Sequence, residues 1–113
     1  MGKTVILPIY PIGTIETFEI PYGVTKIGDY AFHSQNKMKS ITIPETVTEI
    51  GRAFNYCTSL TKIEIPHSVI KINSTCFANS PNISEIIINK EKGSITGSPW
   101  GISKGERAIK WLK

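Results

Sequence analysis

The apolar residues of this chain recur every 22 or 23 positions, and that period limits the available folds more than any other feature. Aligned in rows, Ile20, Ile43, Ile65, Ile88 and Trp111 share a column, separated by steps of 23, 22, 23 and 23 residues. A second column holds Val24, Val47 and Val69, a third Ile27, Ile50, Ile72 and Ile95, and a fourth Phe32, Phe54, Phe77 and Trp100. A unit of this length cannot enclose a core of its own. It buries its apolar face by stacking on its neighbours, which makes the chain a solenoid of about four coils.

Within each coil runs the pattern apolar-x-x-apolar-x-apolar: Ile15, Phe18, Ile20; Met38, Ile41, Ile43; Leu60, Ile63, Ile65; Ile83, Ile86, Ile88. The last two positions of each set lie two apart, the spacing of a strand with one buried face. Three of these strands run into Pro21, Pro44 and Pro66, and a residue without an N–H ends the ladder at a fixed point. The Val and Ile columns, three apart, then predict a short return segment. Gly28, Gly51 and Asn73 follow, and because Gly and Asn accept positive φ most readily they are expected to be left-handed. Thr96 replaces them in the fourth coil, beside Gly97. Next come Ala31-Phe32, Ala53-Phe54, Cys76-Phe77 and Pro99-Trp100, a small residue that lets coils approach and a large one that fills the middle. The second coil has only Arg52 between Gly51 and Ala53, where its neighbours have Asp29-Tyr30 and Ser74-Thr75. The missing residue therefore belongs to the back turn, not to a strand.

The chain of 113 residues is expected to form one domain. Isoleucine at 20 against leucine at 3 favours strand over helix, although the periodicity carries the assignment. The net charge of +4 sits at one end: residues 1–89 hold seven basic and seven acidic side chains, residues 90–113 six and two. Those lysines are scattered and Arg107 is the single arginine among them, so nucleic acid is not the expected partner. Cys57 and Cys76 occupy different places in adjacent coils and read as buried free thiols, not a disulfide framework. The opening run Met-Gly-Lys-Thr-Val-Ile-Leu-Pro is too short for a signal peptide or a membrane span. Ile6 stands where a myristoylation site needs Ser or Thr.

The unit Ile43 to Pro66, IPETVTEIGRAFNYCTSLTKIEIP, resembles the BspA-like class of leucine-rich repeat, and the resemblance covers about residues 15–113. It implies a mainly β fold with short helical or 3₁₀ turns: a right-handed solenoid with a parallel sheet on its concave side. Gln35 and Ser80 depart from the family pattern where Cys57 fits it, and Asn89 replaces the expected proline. The segment GSITGSPWGISKGERAIKWLK is similar to a closing unit of bacterial members, with Trp100 and Trp111 still in their columns and Glu106 at a core position. The expected organisation is an N-terminal cap over residues 1–14, marked by Pro8, Pro11 and Gly13, repeats over 15–88, and a C-terminal capping coil over 89–113.

No cofactor or metal is expected. Gly93, Gly97 and Gly101 lack the lysine and the strand-helix context of a phosphate loop. His33, His67 and the two cysteines lie at unrelated column positions, whereas zinc needs converging ligands. Nothing pairs a nucleophile with a base or sets two carboxylates in a cleft, so an enzyme is not expected. Glu64 and Glu85 fall in different columns, and Lys62, closer in register, is the expected surface partner of Glu85. The candidate partner-binding surface is the outward face of the sheet: Lys39, Ser40, Thr42, Thr61, Lys62, Glu64, Ser84 and Glu85. Free of aromatic residues, it predicts weak binding, and Tyr22, Tyr30 and Tyr56 are the rival location.

The family resemblance implies a non-enzymatic, adhesion-type interaction module of a bacterial cell-surface or secreted protein, with a protein or other cell-surface macromolecule as partner. The alternative is a spacer or self-assembly block, using end surfaces around Trp111 and Val5 to Tyr10. A monomer or weak self-association is expected, without membrane insertion, and a cytoplasmic location if the chain is complete as it stands.

Overall fold

In the computed structural model, which describes residues 6–7, 11 and 13–113, the apolar columns form the inside of a stack of parallel coils. The strands in chain order are β1 (Ile6–Leu7), β2 (Thr17–Glu19), β3 (Lys26–Ile27), β4 (Ser40–Thr42), β5 (Glu49–Ile50), β6 (Lys62–Ile65), β7 (Lys71–Ile72), β8 (Glu85–Ile88) and β9 (Ile109–Trp111). A 3₁₀ turn, Gly105–Ala108, precedes β9. Of the expected N-terminal covering segment, residues 1–5, 8–10 and 12 lie outside the described residues.

Successive coils pair in register on two sides. The front face, expected from the alternating strands, carries β2, β4, β6, β8 and β9, with Phe18 opposite Ile41 and Ile63, Ile86 and Ile109 in one row. The side ladder β1-β3-β5-β7 aligns Ile27, Ile50 and Ile72. Prolines separate the two. The carbonyls of Pro21, Pro44 and Pro66 accept turn hydrogen bonds from the amides of Val24, Val47 and Val69 at 3.2–3.3 Å. Each proline thus ends one ladder and starts the corner leading to the next. Where Asn89 replaces proline, its N–H is available and donates to the Ile65 carbonyl, carrying the front ladder one step further.

The rings of Phe32, Phe54 and Phe77 are fully buried and stack nearly parallel, with centroids 5.4 and 5.5 Å apart. Phe18 closes one end edge-on against Phe32, and Trp100 packs against Trp111 at the other. Beside the rings runs a column of buried polar side chains three residues on. Cys57 Sγ donates to the Phe32 carbonyl at 3.3 Å; Ser80 Oγ donates to the Phe54 carbonyl and accepts from the Cys57 amide. Ser80 thus satisfies the buried Phe54 carbonyl and Cys57 amide of the coil before it, where an unmet group would cost about 1–3 kcal/mol, and Cys57 adds a second donor to the Phe32 carbonyl, which also accepts from the Gln35 amide. Gln35 instead reaches the entering chain, accepting from the amides of Thr14 and Ile15 and donating to the Pro11 carbonyl at 2.6 Å. Its departure from cysteine is a matter of reach.

The handedness expected at Gly28, Gly51 and Asn73 is not where the left-handed backbone lies. Besides Tyr30, Trp100 and several other glycines, it falls two residues after each phenylalanine, at Ser34, Tyr56 and Asn79, with φ of 59°, 61° and 63°. There it turns the following residue, Gln35, Cys57 or Ser80, into the buried column. Gly51 answers a steric need: a Cβ on it would lie 2.4 Å from Asp29 Oδ1, which accepts from the Arg52 amide at 2.8 Å. Asn73 uses its side chain, accepting from both the amide and the hydroxyl of Thr75.

The missing residue of the second coil shows on the front face. Pairing joins β2 to β4 and β6 to β8 to β9, but β4 and β6, though adjacent, are not paired, and the face divides into a two-stranded and a three-stranded sheet. This is the one front-face step of 22 residues. The side ladder crosses the same step intact, with Ile50 opposite Ile72. The shortened back turn is tight, Ala53 N donating to Gly51 O at 2.9 Å, and the front strands take up the difference as a seam.

Phe54, sandwiched between two rings, should lose about 3–5 kcal/mol of stability on truncation to alanine, measured by denaturant unfolding. A loss under about 0.5 kcal/mol, as at ordinary surface sites, would contradict the ring column. Gly51→Ala should cost about 1–2 kcal/mol by displacing the Asp29 carboxylate from the Arg52 amide. In an Asp29→Ala background the same change should cost less, and simple additivity of the two would refute this account.

Candidate functional site

The outward positions of the front face are set by strand alternation: Ile41, Ile63 and Ile65 point in, while Ser40, Thr42, Lys62 and Glu64 point out. The seam gathers five of the eight residues expected to form a binding face. Lys39, Ser40, Thr42, Lys62 and Glu64 line a cleft of about 390 Å³ between β4 and β6, with Ile41 and Ile63 at its floor. No ion pair among the described residues involves Lys39 or Lys62. Strand edges that are not paired to each other, two uncommitted ammonium groups and two hydroxyls thus share one opening.

Ser84 and Glu85 lie elsewhere, on and beside β8, and Thr61 does not line the cleft. Thr61 and Ser84 serve the ladder, the Ser84 hydroxyl and amide both donating to the Thr61 carbonyl. The expected ion pair of Glu85 with Lys62 is not formed. Glu85 is directly opposite Lys62 in the register but closes on Lys110 of β9. A hydrogen bond from Lys110 holds its carboxyl below the ordinary value of 4.5, reinforced by the charges of Lys110 and Lys62 and opposed by desolvation.

A second cluster sits on the turn side of the coils, away from both ladders. Its cleft, about 370 Å³, is lined by Tyr30, His33, Arg52, Asn55, Tyr56 and Thr75 with Ala78 and Asn79. The His33 ring stands edge-on between the two tyrosines, with centroids 5.7 Å from Tyr30 and 5.6 Å from Tyr56. Among the described residues its Nδ1 is buried without a hydrogen-bond partner, a cost of about 1–3 kcal/mol if left unmet. Tyr30 and Tyr56 remain 41% and 48% exposed. The sequence signals here were the tyrosines outside the strands and the odd turn that leaves Arg52 alone. Their convergence was hidden because they come from different coils. Tyr22, 84% exposed, is not among the residues lining this cleft.

The remaining reactive groups are enclosed or scattered. Burial pushes the Cys57 and Cys76 thiols up to about 12, leaving almost no thiolate at neutral pH, and both are free. Among the described residues no three His, Cys, Asp or Glu side chains converge as a metal site would require, and no helix is long and apolar enough to cross a membrane. Glu106, at a core position in the repeat pattern, is exposed at the last coil and accepts from Ser98 Oγ at 2.6 Å.

A family model described as a BspA type leucine rich repeat region matches residues 10–99 in six copies. No curated protein and no solved structure matches the chain.

The Glu85–Lys110 pair gives a pH signature. A depressed folded-state pKa means that the pair's contribution is complete above the ordinary carboxylate range and is lost as pH falls through the folded value, below 4.5. Lys110→Ala should move the Glu85 titration upward in an NMR-monitored series. An unchanged midpoint would place the cause outside Lys110.

Proposed function

The chain belongs to the BspA-type leucine-rich repeat family, and on that premise we propose that it is a non-enzymatic, adhesion-type interaction module that binds a protein partner at a cell surface through its front face. The observation that supports this most is the seam cleft, where Lys39, just before β4, and Lys62 of β6 flank strand edges that are not paired to each other, and no ion pair among the described residues takes up either lysine. The face lacks the Trp, Tyr and Arg that concentrate binding energy. It therefore contributes selectivity and association rate through charge more than tight anchoring. In this reading residues 15–88 are the binding array, and residues 89–113 close it.

A specific observation favours self-assembly as the second reading. β9 has no strand on its outer side among the described residues, and Leu112 beside it is 58% exposed. An open strand edge flanked by an apolar side chain is a template for another chain.

Two measurements separate the readings. Light scattering across concentration should give a constant monomer mass, with captured cell-surface partners cross-linking to the front face and capture falling about tenfold or more in Lys39→Glu/Lys62→Glu. Capture unaffected by that variant would overturn the front-face reading. Mass that grows with concentration and reverts in Leu112→Lys would establish assembly instead.

A further inference from the structure

We infer that the turn-side cleft around Arg52 is a second docking site, one that takes the carboxylate of an acidic side chain on a protein partner. This extends the interaction-module reading to a separate face, and it rests on the direction of the hydrogen bonds in the cluster.

Arg52 Nε donates to Thr75 Oγ1 at 2.8 Å, and Thr75 passes its own proton to Asn73 Oδ1 at 2.8 Å. Arg52 Nη1 donates to the Tyr30 hydroxyl oxygen at 3.2 Å. A guanidinium has five N–H groups, and among the described residues two are spent on neutral hydroxyls that hold it in place, leaving the others. None of the ion pairs among the described residues includes Arg52. The Asp29 carboxylate accepts from the Arg52 main-chain amide. Asn55 directs its amide protons to the carbonyls of Thr75 and Ala78, which ties the floor of the cleft to the third coil. Because the Tyr30 oxygen already accepts, its proton is free to donate outward. The cleft is thus a fixed cation with surplus N–H and O–H donors, an arrangement that matches a planar carboxylate.

Backbone strain points the same way. Tyr30 and Tyr56 are left-handed, with φ of 65° and 61°, a conformation that aromatic residues seldom adopt. Asn79, at the position of Tyr56 one coil later, shows the low-strain choice for the same backbone. A tyrosine held there in spite of strain, half exposed and beside a held arginine, has the composition of an interface hot spot.

The test uses the full chain, ¹⁵N-labelled, titrated in about 150 mM salt, where weak surface attraction is screened. The probes are a hexaglutamate peptide, a hexaglutamine peptide and a short single-stranded oligonucleotide. The glutamate peptide should shift the signals of Tyr30, His33, Arg52 and Tyr56, with the glutamine peptide and the oligonucleotide leaving them unmoved. Arg52→Gln should weaken that response about tenfold or more, and Tyr56→Asn, which borrows the residue of the next coil, should weaken it with the fold intact. If Arg52→Gln disturbs signals beyond the cleft, Tyr56→Asn carries the decision. Shifts that centre on Lys39 and Lys62, that are equal with glutamine, that appear only with the oligonucleotide, or that survive both variants would overturn the inference. The first of these would leave the front-face reading standing, so the two fail separately.

Discussion

The ring column of Phe32, Phe54 and Phe77 is the interaction on which the rest depends. Phe54 lies between the rings of Phe32 and Phe77 from the coils on either side, with centroids 5.4 and 5.5 Å away. Burying a side chain of that size contributes about 1.5–3 kcal/mol, but only once the neighbour is in place. Stability is therefore a property of contacts between coils, as expected of a one-dimensional stack. The parallel ladders and the polar column beside the rings are further terms between the same neighbours.

The polar column shows how buried backbone is reconciled with an apolar centre. The left-handed residue after each phenylalanine breaks the local path, and a carbonyl is left inside. A short hydroxyl or thiol on the next coil satisfies it, as Ser80 and Cys57 do. The same job at the entrance needs a longer side chain with both donor and acceptor, which is why Gln35 stands there.

The inward columns were readable from the chain because burial imposes a strict period, and the deletion at Arg52 was placed correctly in the back turn. Gly51 was misread because glycine answers two different demands, positive φ and lack of a Cβ, and only coordinates separate them. The partner of Glu85 was misread because the register sets Lys62 directly opposite it, whereas Lys110 pairs with Ile87 and reaches Glu85 along the diagonal, a choice that depends on side-chain path. The turn-side cluster escaped for a third reason. Its members come from three coils and form no linear motif, so only the stacking height brings Tyr30, Arg52 and Thr75 together.

The seam gives the stack an uneven mechanics. Everywhere else on the front face a coil is stitched to the next, whereas at β4 and β6 the front ladder is interrupted and the side ladder, the turn bonds, the ring column and the side-chain bonds of Arg52, Asn55 and Ser80 hold the two halves together. A force drawn along the stack finds its most compliant point there, with the side ladder acting as the hinge pin. Two stiff plates joined in this way yield by gaping at a fixed place before any coil unravels, so tension on the array would widen the lysine-lined cleft before it damaged the fold.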